Sequence, residues 1–253
     1  MPDCSLSIIV PAFNEEQNIE AACREIDEVA QKFLSDYEII VIDDASRDRT
    51  GEIVKRLQLE LPRLALIQNE TNRGLGYNFR RGLFAAKFPY SIMVPGDNET
   101  DTPSLEILFQ NVGTKDILVC YTANPGARSI QRQMVSKLFT KSINFLFRLN
   151  LSYYNGTSVV RTDLGRFYAP TTSSFAYMAV ILIRSIKRGA SYQELPVNIR
   201  GRELGKSKAF RFKNIVNVLR SVLGLFWTEM VWKSSASRKP DFCRTNQYDG
   251  AIR

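Results

Sequence analysis

The four residues Gly96-Asp97-Asn98-Glu99 concentrate more potential chemistry than any other stretch of this 253-residue chain. Two carboxylates two positions apart on a tight glycine-containing turn offer oxygen ligands to a hard divalent cation. Such a cation keeps several waters and takes further ligands from phosphates. The chain has no histidine, and Cys4, Cys23, Cys120 and Cys243 are scattered without close pairs. His-dependent triads and His-ligated metals are therefore excluded and neither a zinc site nor a disulfide framework is indicated, so a bound metal has to be Mg²⁺ or Mn²⁺ held through oxygen. A second acidic pair, Asp43-Asp44, closes an apolar strand pattern. Arg202-Glu203-Leu204-Gly205-Lys206-Ser207-Lys208 sets a guanidinium fork and ammonium groups on a Gly/Ser loop, suited to closing over phosphates. Each piece alone has a plainer reading as a turn cap, a polar turn or a basic surface loop. Taken in order behind the strand-to-helix run at 5–16, they suggest a nucleotide-diphosphate-sugar site.

Parallel strands are what bring such residues together. Strand patterns occur at about 5–12, 37–42, 64–67, 91–94 and 117–121, with helical patterns at 15–33, 50–60, 76–87 and 103–111. This alternation predicts an α/β fold, a mostly parallel sheet covered by helices. In a parallel sheet the ends bearing Asp43, Asp44 and Asp97 share one edge, where open α/β sheets bind ligands. Further helices are expected at 129–149, 174–188 and 211–232, with a strand at 192–199 and a polar tail at 233–253. The organisation expected is one domain over 1–210, an amphipathic helix over 211–232 and the tail.

At this point the chain resembles the family-2, GT-A-fold (Rossmann-like) glycosyltransferases, in particular the dolichol- and polyprenol-phosphate mannosyl- and glucosyltransferases. The matching residues are Val10-Pro11-Ala12-Phe13-Asn14-Glu15-Glu16, Val41-Ile42-Asp43-Asp44-Ala45-Ser46, Asn72-Arg73-Gly74-Leu75-Gly76 with Arg81-Gly82, and Gly96-Asp97. The resemblance implies that Pro11, Phe13 and Glu15 line the nucleotide and that Asp44 contacts base or ribose. It makes Asp97 the last acid of the family's Asp-x-Asp motif and its metal ligand, with Glu99 as a second ligand. Pro95 stands where the family has its first acid. Arg202 to Lys208 looks like the Arg-x-x-Gly-x-Ser-Lys signature of the polyprenol-phosphate branch. Arg132-Gln133-Met134-Val135-Ser136 resembles the Arg-x-x-x-Ser at the start of the family's acceptor helix, its two residues one helical turn apart. Together these matches would put Arg132, Ser136, Arg202, Ser207 and Lys208 on the acceptor phosphate. Arg128 is a neighbouring addition, and Thr122 replaces an arginine of the family's acceptor loop.

No acidic residue occurs between Asp163 and Glu194. A hydroxyl nucleophile needs a general base near pH 7, whereas a phosphate monoester is already anionic. The lack of a carboxylate there favours a phosphate acceptor unless Asp101 or Asp163 folds into the site. The expected activity is an inverting, metal-dependent hexosyl transfer from a nucleotide-diphosphate sugar to a polyprenyl phosphate, with Asp97, Arg132, Arg202 and Lys208 carrying it. Two alternatives stay open: a transferase using a sugar, protein or small-molecule hydroxyl, and, because of Pro95, a nucleotide-sugar-binding protein without turnover.

Charge is divided along the chain. Residues 1–110 carry a net −8 and residues 111–253 a net +16. A basic half without a recognition element does not suggest nucleic acid. It suits phosphates and anionic lipid head groups, and the helices at 129–149 and 211–232 are expected to hold the chain peripherally on the cytoplasmic membrane face. Neither a signal peptide nor a membrane span is expected: Arg220 and Glu229 interrupt the apolar segment near the C-terminus, leaving less than the ~20 residues a span requires.

Overall fold

A computed structural model describes residues 4–170, 176–200 and 224–227. The chain forms β1 (Leu6–Ala12), α1 (Ile19–Phe33), β2 (Tyr37–Asp43), α2 (Thr50–Leu57), β3 (Leu64–Gln68), α3 (Leu75–Ala85) and β4 (Tyr90–Met93). It continues with α4 (Thr102–Gln110), β5 (Ile117–Thr122), α5 (Ile130–Phe147), β6 (Val159–Arg161), α6 (Thr162–Tyr168), α7 (Tyr177–Lys187) and β7 (Tyr192–Val197). The strands make one sheet in the order β3-β2-β1-β4-β6-β5-β7. Strands β1 to β4 are parallel, β5 pairs in parallel with β7, and β6 runs antiparallel between β4 and β5. The predicted α/β class is therefore found, as a mixed sheet.

The strands are nearly continuous apolar runs because both sheet faces are covered. Period-two alternation sorts them. Ile8, Val10, Ile39 and Val41 pack into one layer with Ile26 and Val29 of α1, Val54 of α2 and Leu108 of α4. Ile9, Ile40 and Ile42 face the other layer, with Phe79 and Leu83 of α3, Leu164 of α6 and Ile181 of α7. Gly82 lets α3 lie this close: a Cβ there would stand 2.5 Å from Ile9 Cγ2. Each fully buried Ile contributes roughly 1.5–3 kcal/mol by leaving water, so these two layers fix the sheet edge that carries the acidic residues.

Helix α1 begins at Ile19, not at the expected residue 15, because residues 14–18 form a turn bound to the loop after β2. Strand β6 and helix α6 have no counterpart in the sequence pattern. Residues 201–223 and 228–253 are outside the described residues, and with them Arg202, Ser207, Lys208, most of the expected 211–232 helix and the tail. Of that helix, residues 224–227 are helical, with Leu225 buried and Phe226 set edge-on against Phe147 at 6.1 Å. Among the described residues, no helix is long and apolar enough to cross a membrane.

Candidate functional site

The C-terminal end of β1 locks the ends of its two neighbours. The Pro11 carbonyl accepts from Gly96 N at 3.1 Å, and the Ala12 carbonyl accepts from Asp44 N at 2.8 Å. Asp97 and Asp44 therefore leave the sheet on either side of Phe13, at the switch point where the strand order reverses. Just past these three strands, Asn14, Ala45 and Asn98 adopt left-handed backbone with φ of 56°, 61° and 55°. Asn tolerates this conformation through local hydrogen bonding, whereas for Ala it costs roughly 1–2 kcal/mol.

The two acids of the Asp43-Asp44 pair have separate duties. Asp43 accepts from Ser46 N at 2.9 Å and from Gln68 Nε2 at 3.0 Å, so it fixes the turn after β2. Asp44 is buried. Its Oδ1 accepts from Asn69 Nδ2 at 2.7 Å and Arg73 N at 2.8 Å, and its Oδ2 accepts from Gly74 N at 2.9 Å. Gly74 has φ of +82°, which aims two successive amides at one carboxylate and opens α3. In this arrangement Asp44 organises the Asn72-Arg73-Gly74 loop beside the position where a nucleotide is expected.

The turn at 14–18 forms the wall of a cleft of about 240 Å³ lined by Asn14, Glu15, Glu16, Gln17, Asn18 and Asp48. Glu15 N donates to Thr50 Oγ1 at 2.8 Å, and Glu15 Oε2 accepts from Asn18 Nδ2 at 3.0 Å. Burial pushes the Asp48 carboxyl up, but hydrogen bonds from Thr50 and from Glu16 N outweigh it and hold its pKa below the ordinary range.

Asp97, Asn98 and Glu99 are half-exposed on a turn held from behind. Arg200 N donates to the Glu99 carbonyl at 2.7 Å, and Arg200 Nη1 donates to the Asn98 carbonyl at 3.3 Å. Its Nη2 reaches Glu25 Oε2 of α1 at 2.8 Å. Glu25 also accepts from Asn98 Nδ2 and Thr102 Oγ1. Burial raises the Glu25 pKa, yet the bonds from Arg200 and Asn98 prevail and leave it lowered. Asn124 continues the stitching, giving and receiving a hydrogen bond with the backbone of Ile199. Asp97 and Glu99 fit a hard cation by donor chemistry, as two oxygen donors on one rigid turn. Among the described residues there is no group of three or more metal-binding His, Cys, Asp or Glu side chains, so waters or substrate phosphates would have to complete the shell.

Helix α5 delivers Arg132 toward this turn. Ser129 caps it, accepting from Arg132 N at 3.4 Å. Burial lowers the Arg132 pKa, and so does the charge of Arg128; the charge of Asp97 acts in the opposite direction. Arg128 donates to Tyr153 Oη at 3.1 Å, and its buried Nε has no hydrogen-bond partner among the described residues. The Arg132 guanidinium thus lies close enough to Arg128 and to the acidic turn to feel both charges. Ser136 lies half-buried one turn further along the helix.

The candidate bases have other partners. Asp101 is the N-cap of α4, accepting from Ser104 N at 3.0 Å. Asp163 pairs with Arg161 at 2.5 Å, and Arg161 stands opposite Tyr90 at the start of β4, the far end of the strand from Asp97. The sequence did not single out Glu25, Arg200, Asn69 or Tyr153. Glu25 reads as an ordinary helix acid, and its partner Arg200 is 175 residues away.

Comparison with known proteins decides the family. The sequence profile of Glycosyl transferase family 2 matches residues 7–166. The chain belongs to glycosyl transferase family 2. A dolichyl-phosphate beta-glucosyltransferase of Dictyostelium discoideum is 32% identical over 145 residues, 52% of this chain and 43% of that protein. The chain thus spans less than half of that relative. It spans 94% of an undecaprenyl-phosphate mannosyltransferase of Micrococcus luteus, with 24% identity over 233 residues and 87% of this chain. Among solved structures, glucosyl-3-phosphoglycerate synthase of Mycobacterium tuberculosis in complex with UDP superposes with a TM-score of 0.64 at 15% identity, covering 88% of this chain and 79% of that one. The same enzyme with Mn²⁺, UDP-glucose and phosphoglyceric acid gives 0.64 at 14% identity, with the same coverage. The fold of this family 2 member is GT-A, a Rossmann-like α/β sheet.

Proposed function

We propose that this glycosyltransferase transfers a hexose, with inversion, from a nucleotide-diphosphate sugar to a polyprenyl phosphate at a membrane surface. One observation carries the reading. Arg132 stands at the start of α5 where burial and the charge of Arg128 both disfavour its charged form, with Asp97 near enough to act the other way. A phosphate monoester between the two arginines would relieve that repulsion through charge-assisted hydrogen bonds. The relatives named above, which act on dolichyl and undecaprenyl phosphates, agree with this acceptor. So do the engagement of Asp101 as the α4 N-cap and of Asp163 with Arg161, because an anionic phosphate oxygen needs no general base.

Phe13, Pro11 and Glu15 would line the nucleotide, with Asp44 holding the 72–74 loop against it. Asp97 and Glu99 would hold Mg²⁺ or Mn²⁺, which when bound neutralises charge on the diphosphate. Arg132 and Ser136, joined by Arg202, Ser207 and Lys208, would orient the acceptor phosphate so that its oxygen lies in line with the anomeric carbon. The phosphate oxygen–carbon bond forms as the carbon–diphosphate oxygen bond breaks. No proton moves, and the basic residues offset the charge that develops. Incubating the protein and Mn²⁺ with labelled GDP-, UDP- or dTDP-hexose and a prenyl phosphate tests the assignment. Label is expected in a prenyl-phosphate-linked product; transfer to a glycan or hydroxyl acceptor instead would contradict it.

A further inference from the structure

Strands β5 and β7 end side by side, Thr122 against Val197, and the pairing continues past them. Ala123 N donates to the Val197 carbonyl at 2.8 Å. At the next step the Asn124 side chain stands in for backbone. Its Nδ2 donates to the Ile199 carbonyl at 2.8 Å, and its Oδ1 accepts from Ile199 N at 3.0 Å. An amide carries donor and acceptor together, so it satisfies both groups of one residue. The neighbours of Ile199 bond the other way. Arg200 N donates to the Glu99 carbonyl at 2.7 Å, Asn198 N donates to Ser104 Oγ at 2.7 Å, and Ile199 stands opposite Thr100 in an isolated antiparallel bridge. An extended segment directs its hydrogen-bonding groups alternately to its two sides. Residues 198–200 therefore join the turn bearing Asp97 and Glu99 on one side to the segment after β5 on the other.

That segment leads directly to the cations. Ala127 N donates to the Asn124 carbonyl at 3.1 Å and Arg128 N to the Pro125 carbonyl at 3.0 Å, a tight turn that ends at Arg128. Ser129 then caps the helix carrying Arg132, and Gln133 Nε2 reaches back to the Arg128 carbonyl at 2.9 Å. We infer that Asn124 is a positioning residue, which holds Arg128 and Arg132 in register with the Asp97–Glu99 turn by clamping Ile199 between them. Its functional meaning rests on the proposed reading, in which the guanidinium groups hold the acceptor phosphate and the turn holds the cation. Coupling of this kind is reciprocal: a cation on the turn tightens acceptor binding, and the acceptor tightens the cation.

The test compares the full chain with Asn124→Ala, which removes both hydrogen bonds, and Asn124→Asp, which keeps only the acceptor. Amide hydrogen exchange is measured without ligand. Transfer kinetics follow with Mn²⁺ and a water-soluble short-chain prenyl phosphate varied in turn, and thermal unfolding shows whether each variant is folded. Asn124→Ala is expected to speed exchange at residues 97–101 about tenfold, while β1 and β2 exchange as in the parent. It should raise the KM for prenyl phosphate and the Mn²⁺ concentration for half-maximal rate, each about tenfold, with Asn124→Asp in between. Should Asn124→Ala fail to fold, Asn124→Asp carries the same comparison. A folded variant whose 97–101 exchange and metal dependence equal the parent's overturns the inference, because Asn124 then shapes its own loop alone. Faster exchange at 97–101 in the variants, with a parent that transfers no sugar to prenyl phosphate, would sink the proposed function and leave the positioning role standing.

Discussion

Arg200 Nη2 donates to Glu25 Oε2 at 2.8 Å, joining the segment that leads to Arg202 to the helix behind the Asp97 turn. The two side chains are 38% and 30% exposed, and ion pairs in such settings contribute ~0–1 kcal/mol to stability. The pair therefore matters mainly for position. Through Arg200 Nη1 and N, the backbone of Asn98 and Glu99 is fixed from the same residue.

Arg200→Ala is accordingly expected to lower turnover roughly ten- to hundred-fold, the scale of a misplacement near the reacting groups. It should also raise the Mn²⁺ concentration needed for half-maximal rate, while the urea midpoint barely moves. Metal titration of the rate checks this; unchanged metal dependence would show that the turn does not rely on Arg200.

Asp44→Asn faces an amide N–H with a second N–H at one of its three bonds. Leaving buried polar groups mismatched costs about 1–3 kcal/mol, and the 72–74 loop should loosen. Chemical denaturation is expected to show that loss, and calorimetry a weaker nucleotide affinity.

Ala45→Gly relieves a left-handed alanine. The relief of roughly 1–2 kcal/mol exceeds the entropic cost of glycine, about 0.5–1 kcal/mol, so a net gain of up to about 1 kcal/mol is expected in the denaturation midpoint.

Acid sensitivity has a definable source at the other end of the sheet. Asp116 accepts from Ser191 N and Oγ, both at 2.7 Å, and from Arg161 Nη1 at 3.0 Å. Burial pushes its carboxyl up, but these bonds and the Arg161 charge outweigh it, so its pKa lies below the ordinary 3.8. A carboxyl with a depressed folded pKa lends stability that is complete above its unfolded value and is lost as pH falls through the folded one. Stability should therefore fall as pH drops below about 4. Asp116→Asn should flatten that part of the profile while lowering stability at neutral pH.

The parallel core was legible because fully buried strands read as short apolar runs between helical patterns, and the acids at their ends follow from strand direction. Strand β6 was not, because it is three residues long and pairs antiparallel between strands distant in sequence. The pattern around 15–18 looks helical, yet the amides of Asn14, Glu15 and Glu16 are taken by Ser46, Thr50 and Asp48 across 32 to 35 residues. Asp43 and Asp44 are indistinguishable in sequence. Only the left-handed Ala45 and the loop around Gly74 separate the turn-holding acid from the loop-holding one. The crowding of Arg128 against Arg132 likewise depends on how α5 is entered, which periodicity does not encode.

The most direct measurement is sugar transfer by Asp97→Ala against the parent, at saturating donor with Mn²⁺ varied, alongside a thermal-unfolding control. Asp97 lies on a half-exposed turn, so the variant is expected to fold with an unfolding temperature near the parent's and to lose transfer by a factor of about a hundred or more, with no recovery at high Mn²⁺. A folded Asp97→Ala protein that transfers sugar at the parent's rate would contradict the account.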